Sequence, residues 1–257
     1  MASYCVWCSD PLQLLSANQI PENAALTMLS RSHPFFPTFE ALMREAAAHP
    51  PVYDLGTSQR FAREVGLVRD LFAPEEYFAG GFNPDRSIGP DACDFHCDVQ
   101  NLAEIADGSA GCVLSMEVLE HVQEPRRAVA EMYRILRPGG LVIAAVPFLF
   151  TYHGKSGRTT NPVWSREQPT QWDHAHGGYA DYWRFSHEGL AQLFGEAGFS
   201  RVDAYPIDGR LLSRLALFGL IPPLSRVPGL LRFLGHFDCP RLGRATTMHF
   251  VHAQKAT

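Results

Sequence analysis

The chain has 257 residues, of which 22 are basic and 27 acidic, giving a formal net charge of −5. Its length suits one large domain with a sizeable core, and a hydrophobic content of 46% excludes wholesale disorder. Six cysteines in such a chain exclude a disulfide-stabilised scaffold. The slightly acidic balance argues against a nucleic-acid partner that is bound through its phosphate backbone.

The N-terminal residues do not have the pattern of an export signal, because they lack a basic segment followed by a continuous apolar one. The chain also has no uncharged apolar run of about 18 residues, the length needed to span a membrane. We therefore expect a cytoplasmic enzyme or binding protein.

Residues 1–49 are predicted to form a peripheral helical cap. Thr38 is suited to begin a helix, since its hydroxyl can accept a hydrogen bond from a free backbone N–H. Apolar side chains then recur at the spacing of one buried helix face, at Phe39, Leu42, Met43 and Ala46.

Short apolar strands and amphipathic helices alternate along the rest of the chain. The predicted strands cover residues 52–55, 77–82, 92–97, 112–116, 141–146, 202–205 and 248–252. One helix is predicted over residues 58–71, a second from Pro125 to the stop at residues 138–140, and a third after the capping residue Ser186. This alternation predicts an α/β fold with an open, mostly parallel sheet and helices on both faces.

Ligands of such a sheet bind outside the carboxyl ends of its strands, so the residues after each strand are candidates for a site. They are Asp54, Gly56 and Thr57 after the first strand, Asn83 after the second, Asp98 and Val99 after the third, Glu117 after the fourth, and residues 148–153 after the fifth. A glycine there lets a ligand approach the backbone closely, and the following helix offers free N–H groups.

The order of these motifs resembles the class I S-adenosylmethionine-dependent methyltransferases. VYDLGTS at 52–58 and CDVQNL at 97–102 are similar to two cofactor motifs, and VLSMEVLEHVQEP at 113–125 followed by ILRPGGLVIAAVP at 135–147 is the most specific match. The segment 181–199 resembles a bacterial branch often associated with sugars and other secondary metabolites. The resemblance covers about residues 50–207 and implies a seven-stranded, Rossmann-like methyltransferase domain over residues 50–257.

The resemblance implies S-adenosylmethionine as cofactor and assigns contacts to it. Asp54, Gly56 and Thr57 are expected along its amino-acid portion, while Asp98 is expected to hydrogen-bond the adenine amino group beside the Val99 backbone. The segment from Ser115 to Glu117 is expected under the methionine moiety. The implied reaction is methyl transfer to a hydroxyl or amine of a small molecule, with secondary metabolism as the context.

Two departures from the family pattern bear on this expectation. Ser58 and Arg60 replace glycines of the first motif, and Gly81 stands where the family has an acidic residue that grips the ribose hydroxyls. Asn83 and Asp85 lie close by, but a neutral amide forms weaker hydrogen bonds than a carboxylate. We therefore expect weakened cofactor affinity or a substitute contact. The alternative is a methyltransferase-fold protein that binds the cofactor or another ligand without methyl transfer.

Histidines in the long segment 151–181 are the candidate proton acceptors, because the imidazole pKa lies near neutrality. His153 follows the fifth strand, and His174 and His176 face one way on an extended segment. With Asp173 the latter pair could bind a metal, but we predict no metal site. Solvated or structural histidines are the favoured alternative, and a base or substrate contact comes next.

Several other features have structural alternatives. Glu120 and His121 are interpreted as a capping and packing pair, and Cys5 and Cys8 lack a second pair with the same spacing for zinc. Trp183 and Phe185 are equally consistent with an aromatic wall over the substrate or an anchor of the loop.

The insert 209–240 is predicted to be an amphipathic helical hairpin. Its role is left open between a lid, a homodimer interface, a membrane-surface contact and packing of the insert itself.

Overall fold

The computed structural model describes residues 29–57, 60–61, 64–82, 92–154, 179–218, 220, 224, 227, 229–238 and 245–257. The strands are β1 (Val52–Leu55), β2 (Tyr77–Gly81), β3 (Phe95–His96), β4 (Ala110–Met116), β5 (Leu136–Pro147), β6 (Arg201–Pro206) and β7 (Met248–Gln254). The α-helices are α1 (Phe36–Ala47), α2 (Pro125–Ile135), α3 (His187–Glu196), α4 (Arg210–Leu217) and α5 (Leu230–His236). Short 3₁₀ segments cover Val65–Leu71, Pro74–Glu76 and Leu119–His121.

Within the described residues, seven strands form one sheet in the order β3-β2-β1-β4-β5-β7-β6. The first five run parallel, and β7 is antiparallel to both β5 and β6. The predicted α/β class, with an open, mostly parallel, seven-stranded sheet, is confirmed. Its one antiparallel strand follows the insert, so that the chain returns between β5 and β6.

Helices cover both faces of this sheet. Val113 and Val142 pack with α2 and α3 on one face, while Leu114 and Ile143 pack with α1 on the other. The central strands are therefore buried on both sides, which explains why residues 141–146 form an unbroken apolar run.

The first helix differs from its prediction in two ways. α1 begins at Phe36, so Thr38 lies inside it rather than capping it, and Pro37 occupies its first turn. Phe39 and Met43 are fully buried against the sheet. Residues 36–47 therefore belong to the main core and are not peripheral; residues 1–28, and with them Cys5 and Cys8, lie outside the described residues.

α2 ends earlier than predicted, at Ile135 instead of at residues 138–140, and β5 begins at once with Leu136. The residue before a proline is disfavoured in the helical region, so Pro138 pushes Arg137 out of the helix. Leu136 is already extended and pairs with Ala110 of β4. Within the described part of the predicted helix 58–71, the structure has the 3₁₀ segment Val65–Leu71, in which Val68 leaves the helical region at φ −132°.

The insert forms the short helices α4 and α5, which bury Leu212 and Leu231 in a small cluster of their own. Asp238 accepts hydrogen bonds from the backbone N–H groups of Gly209, Leu211 and Leu212, and so holds the start of α4. Phe218, Phe233 and Phe237 remain largely exposed. Among the described helices, none combines the length and apolar character that crossing a membrane requires.

The buried His33 near α1 should make stability depend on pH. Burial lowers the pKa of His33 to about 4, and its Nδ1 accepts a hydrogen bond from the Phe35 N–H, which requires the neutral ring. The unfolded chain therefore binds the proton more readily, and stability is lost as the pH falls from about 6.5 to about 4.

Replacing His33 with glutamine should remove up to about 3 kcal/mol of this pH dependence, measured by urea unfolding at pH 7.5 and pH 4.5. The exposed His236 offers a control, since His236→Gln should keep the wild-type dependence. Equal pH dependence in His33→Gln and the wild type would contradict the assignment.

Candidate functional site

The carboxyl ends of the parallel strands bring the predicted cofactor residues to one edge of the sheet. Leu55 lies opposite Gly80, and Met116 lies opposite Ala145, so β1, β2, β4 and β5 end at the same level. The Gly56 N–H donates to the Gly80 carbonyl at 2.8 Å and continues the ladder into the first turn. This edge is where a ligand of such a fold binds.

Gly56 is required by packing as well as by its conformation. Its φ is +81°, in the left-handed region that favours glycine, and a Cβ there would lie 2.5 Å from Cγ2 of Val118. The side chain of Val118 therefore occupies the space beside this glycine. From the sequence alone, a ligand was expected to approach the backbone there. Thr57 follows as a buried residue.

The Asp54 carboxylate is engaged inside the protein. It is 2% exposed, and the hydroxyl of Tyr77 on the neighbouring strand donates to it. Burial, and next the charge of Asp54, raise the pKa of the Tyr77 hydroxyl, so the donor stays protonated. The contact of Asp54 with the cofactor stays a prediction, and its demonstrated contact is the one that joins β1 to β2.

Gly81 cannot be exchanged for the acidic residue that the family pattern expects there. A Cβ at Gly81 would lie 2.8 Å from Sγ of Cys93 and 2.8 Å from the carbonyl oxygen of Thr57. A longer side chain has no room without moving that backbone. Asn83 and Asp85, the predicted substitutes, lie outside the described residues.

Asp98 lies in a turn directly after β3 and is half-buried. Its Oδ1 accepts hydrogen bonds from the backbone N–H of Gln100 at 2.9 Å and from Nε2 of Gln100 at 3.2 Å. The Asn101 N–H donates to the Asp98 carbonyl, and Val99 is buried beside it. This turn holds the carboxylate in a fixed orientation at the sheet edge.

The end of β4 carries two features that structural packing alone does not account for. The Ser115 hydroxyl is fully buried and has no hydrogen-bond partner among the described residues. Glu117 has a φ of +55°, which is rare for a residue with a side chain, although its N–H still donates to Ala145. Such backbone strain concentrates at ligand sites, which fits the predicted position of this segment under the cofactor.

A buried carboxylate lies between two histidines just beyond this turn. Oε1 of Glu120 is 3.5 Å from Nε2 of His121 and 3.6 Å from Nε2 of His153. The Glu120 side chain is fully buried, and the two imidazoles are 14% and 10% exposed. The rings of His121 and His153 meet edge to face, with centroids 4.8 Å apart.

Asp181 and Arg184 hold the backbone of His153 in place through hydrogen bonds. The His153 N–H donates to Oδ2 of Asp181 at 2.8 Å, and Arg184 donates to both oxygens of that carboxylate at 2.5 and 2.7 Å. Burial raises the pKa of Asp181, but the bonds from Arg184 and His153 outweigh it and bring the pKa below its usual value. The residue therefore stays charged and orients the His153 segment.

Burial also controls the charge of His121, whose pKa it lowers despite the nearby Glu120. The ring is therefore neutral near pH 7. Its Nδ1 lies 2.5 Å from the Ala180 carbonyl oxygen, which can only accept, so Nδ1 carries the hydrogen.

Sequence reasoning missed the roles of Glu120, His121, Asp181 and Arg184. The Glu120–His121 pair was interpreted as capping and packing, yet its side chains converge with the predicted site residue His153. The available signal was the ionisable pair Glu120–His121 in the loop that follows the buried strand β4, in a fold whose sites lie beyond the strand ends. His174 and His176 lie outside the described residues, and their roles stay predictions.

Both aromatic residues predicted in the same segment contact the backbone of neighbouring elements. Phe185 is buried, and its N–H donates to the Pro147 carbonyl, so it anchors the segment to the end of β5. Trp183 is 42% exposed and donates from Nε1 to the Val122 carbonyl at 2.8 Å.

Comparison with known proteins bears on this arrangement. A family described as "Methyltransferase domain" matches residues 82–144. A probable S-adenosylmethionine-dependent methyltransferase of Mycolicibacterium smegmatis is 35% identical over 69 residues, which is 26% of this chain and 27% of that protein. The chain spans little more than a quarter of the length of the curated relatives it matches.

Two solved structures share the fold with 15% identity and a TM-score of 0.50. One is an S-adenosylmethionine-dependent methyltransferase from Mesorhizobium loti, matched over 86% of this chain and 98% of that one. The other is the [4+2]-cyclase SpnF, matched over 86% of this chain and 81% of that one. At this level of identity the likeness shows the fold alone.

The strand order and the site at the strand ends define a Rossmann-like methyltransferase fold. The matched methyltransferase domain, over residues 82–144, and the Mycolicibacterium relative, over 69 residues, show that part of this chain is similar to S-adenosylmethionine-dependent methyltransferases. The cofactor of that family is S-adenosylmethionine.

The described residues fit this cofactor at three of the predicted contacts, Asp98, Ser115 and Glu117. Asp98 offers an oriented carboxylate for an amino group, and the orphaned Ser115 hydroxyl and the strained Glu117 lie at the edge predicted for the methionine moiety. The described residues do not offer the usual acid for the ribose, because Gly81 has no room for one.

Proposed function

We propose that this protein transfers a methyl group from S-adenosylmethionine to a hydroxyl or amine of a small molecule. The observation that carries the proposal is the buried Glu120, His121 and His153 cluster. It lies beyond the ends of the adjacent strands β4 and β5, next to the segment Ser115–Glu117 that the family resemblance assigns to the methionine moiety. Proton-accepting groups thus stand beside the position expected for the reactive methyl.

S-adenosylmethionine, when bound, supplies a methyl group on a sulfonium whose leaving group is built in. The protein has to align the nucleophile and accept its proton. The nucleophilic oxygen or nitrogen forms a bond to the methyl carbon as the carbon–sulfur bond breaks, and the bonding electron pair stays on sulfur. The proton passes to a base of the protein, for which we propose His153, with His174 and His176 as the other candidates.

The orientation of His153 suits this role. Its Nδ1 lies 3.1 Å from the Thr151 carbonyl oxygen and 3.3 Å from Oδ2 of Asp181, and both oxygens accept. In the neutral ring the hydrogen is therefore on Nδ1 and Nε2 keeps its lone pair. Asp181 fixes the backbone of the same residue.

A small molecule of the sugar-containing or secondary-metabolite type is the proposed substrate class. It rests on the resemblance of residues 181–199 to that bacterial branch. Asp181 and Arg184 of this segment hold His153 in place. A segment that is specific to that branch would therefore act close to the substrate.

We also propose a cytoplasmic location without a nucleic-acid partner. The exposed aromatics of the insert keep a lid, a homodimer and a membrane-surface contact as alternatives.

The second candidate function is ligand or cofactor binding without methyl transfer. The crowded position of Gly81 favours it, because the ribose loses its usual charged partner. A protein of this fold is also named a [4+2]-cyclase, so the fold does not oblige the chain to transfer methyl groups.

Calorimetric titration with S-adenosylmethionine and S-adenosylhomocysteine is the first test of the proposed methyl transfer. We expect both to bind, and failure of both to bind would overturn methyl transfer.

Replacing Asp98 with alanine should weaken S-adenosylmethionine binding by roughly 1.5–3 kcal/mol, the range for a hydrogen bond to a charged group. Isothermal titration calorimetry of the folded variant measures this loss. Asp203→Ala is the matched control, since Asp203 lies in β6 at the opposite edge of the sheet and pairs only with its neighbour Arg201 among the contacts described. An unchanged affinity of the Asp98 variant removes the adenine contact from the proposal.

A further inference from the structure

The histidine tautomers at the end of β4 and β5 present two lone pairs to one carboxylate. Nδ1 of His121 faces the Ala180 carbonyl at 2.5 Å, and Nδ1 of His153 faces the Thr151 carbonyl at 3.1 Å. A carbonyl oxygen only accepts, so in each neutral ring the hydrogen is on Nδ1. Both Nε2 atoms then keep their lone pairs, and both point at Oε1 of Glu120.

Three acceptors therefore converge without a donor between them. The two Nε2–Oε1 separations of 3.5 and 3.6 Å are longer than a normal hydrogen bond. Neither oxygen of Glu120 has a hydrogen-bond partner in the part of the chain that the structure describes, although the side chain is fully buried. A buried carboxylate without a partner is costly, and a cation among the three acceptors removes that cost.

The two Nε2–Oε1 separations agree with those of ligands on one metal ion. A tetrahedral zinc ion with bonds of about 2.0–2.1 Å holds its ligand atoms about 3.4 Å apart. One ligand atom from each of Glu120, His121 and His153 lies within 4.8 Å of the other two. Two imidazoles and one carboxylate form a set that binds zinc and related transition-metal ions and leaves a coordination position open.

The surroundings also match those of metal-bound histidines, which donate their second ring N–H to a carbonyl or carboxylate. The carbonyls of Ala180 and Thr151 do this for His121 and His153. The His153 backbone N–H also donates to Asp181, which in turn accepts hydrogen bonds from Arg184. The exposed pair His187 and Glu188 shows the contrast, since neither residue is buried and the described residues supply no third ligand to them.

We propose that Glu120, His121 and His153 form a binding site for one divalent transition-metal ion, with Zn²⁺ as the ion that fits best. This proposal departs from the expectation of no metal site, and it gives Glu120 and His121 a role other than capping and packing. The binding itself does not depend on methyl transfer.

The role of the ion rests on the proposed function. A substrate hydroxyl on the open coordination position would have its pKa lowered by the ion and would lose its proton more easily. His153 then acts as a ligand, and the proton of the hydroxyl leaves to solvent or to another base. The metal-loaded protein would therefore favour a hydroxyl substrate over an amine.

The test uses the full chain, stripped with a chelator and titrated with Zn²⁺ alone by calorimetry and elemental analysis. We expect one ion bound in the wild type. Glu120→Gln, His121→Ala and His153→Ala should each weaken that binding by about 100-fold or more, beyond the 10–100-fold typical of lost supporting residues. His187→Ala is the control and should bind as the wild type does.

Absence of zinc binding by the wild type, or equal binding by the three folded variants, overturns the site. If the variants fail to fold, wild-type crystals soaked with Zn²⁺ carry the test. An anomalous peak between Glu120, His121 and His153 supports the site, and its absence there overturns it. Zinc binding without S-adenosylmethionine binding contradicts the proposed function alone, and the reverse result contradicts the metal site alone.

Discussion

Replacing His153 with alanine should lower the rate of methyl transfer about 10²–10⁴-fold, the usual contribution of a positioned acid or base. S-adenosylmethionine affinity should change little, because the contacts proposed for the cofactor lie on other residues, such as Asp98. The rate should fall because alanine removes Nε2, the atom proposed to accept the proton of the substrate. In the wild type, Nε2 lies 3.6 Å from the buried Glu120 carboxylate. Formation of S-adenosylhomocysteine with an acceptor found by screening gives the rate, and calorimetry gives the cofactor affinity.

The control for this experiment is His187→Ala, which removes an exposed histidine beside a carboxylate but outside the cluster. Its rate should equal that of the wild type. A near-normal rate for His153→Ala would exclude His153 both as base and as essential ligand. Alignment of a neutral amine, without base catalysis, would then be the better mechanism. A chelator separates the two roles, since it should slow the wild type only if a metal ion takes part.

The second large effect concerns Gly56. Valine at this position should destabilise the protein by about 2–5 kcal/mol, adding the cost of a left-handed conformation to that of overpacking. The Cβ alone would lie 2.5 Å from Val118 at a φ of +81°. From the sequence, loss of cofactor binding with an intact sheet is the expected result. The structure changes that expectation, because the neighbour of Gly56 is a buried side chain of the protein itself.

A second substitution separates the two costs. In the Gly56→Ala background, Val118→Ala should recover the overpacking part and leave the conformational part. Gly195→Ala is the matched control, since a Cβ at that helical glycine meets nothing within 4 Å and should be neutral or stabilising. Urea unfolding monitored by circular dichroism measures all of these variants. A Gly56→Ala protein as stable as the wild type would contradict the packing argument.

Much of the fold could be predicted because its signals are local. The apolar run from Leu141 to Val146 indicates a strand buried on both faces, and this strand lies inside the sheet, between β4 and β7. Ser186 was predicted to cap a helix, and its hydroxyl does accept from the Gly189 N–H. The end of α2 was misplaced, although the restriction that Pro138 imposes on Arg137 is itself a local signal.

The family motifs also placed the candidate cofactor residues after the correct strands. The parallel topology then brings those strand ends to one edge, as the pattern of alternating strands and helices implies. Asn83, the residue predicted to contact the ribose, lies outside the described residues. That no acidic side chain fits at Gly81 follows from the positions of Cys93 and Thr57, which no sequence pattern reveals.

The sequence by itself determined the α/β class, the strand positions and the edge of the sheet where a site forms, because periodicity and motif order depend on neighbouring residues. Only the tertiary structure decided that Glu120 and His121 face His153, and that Asp181 supports it. These residues come from the ends of two strands and a later segment, far apart in the chain. Their convergence depends on how β4 and β5 pair and on where the segment after residue 179 packs. A side chain that looks like local packing can therefore belong to a site once distant residues supply its partners.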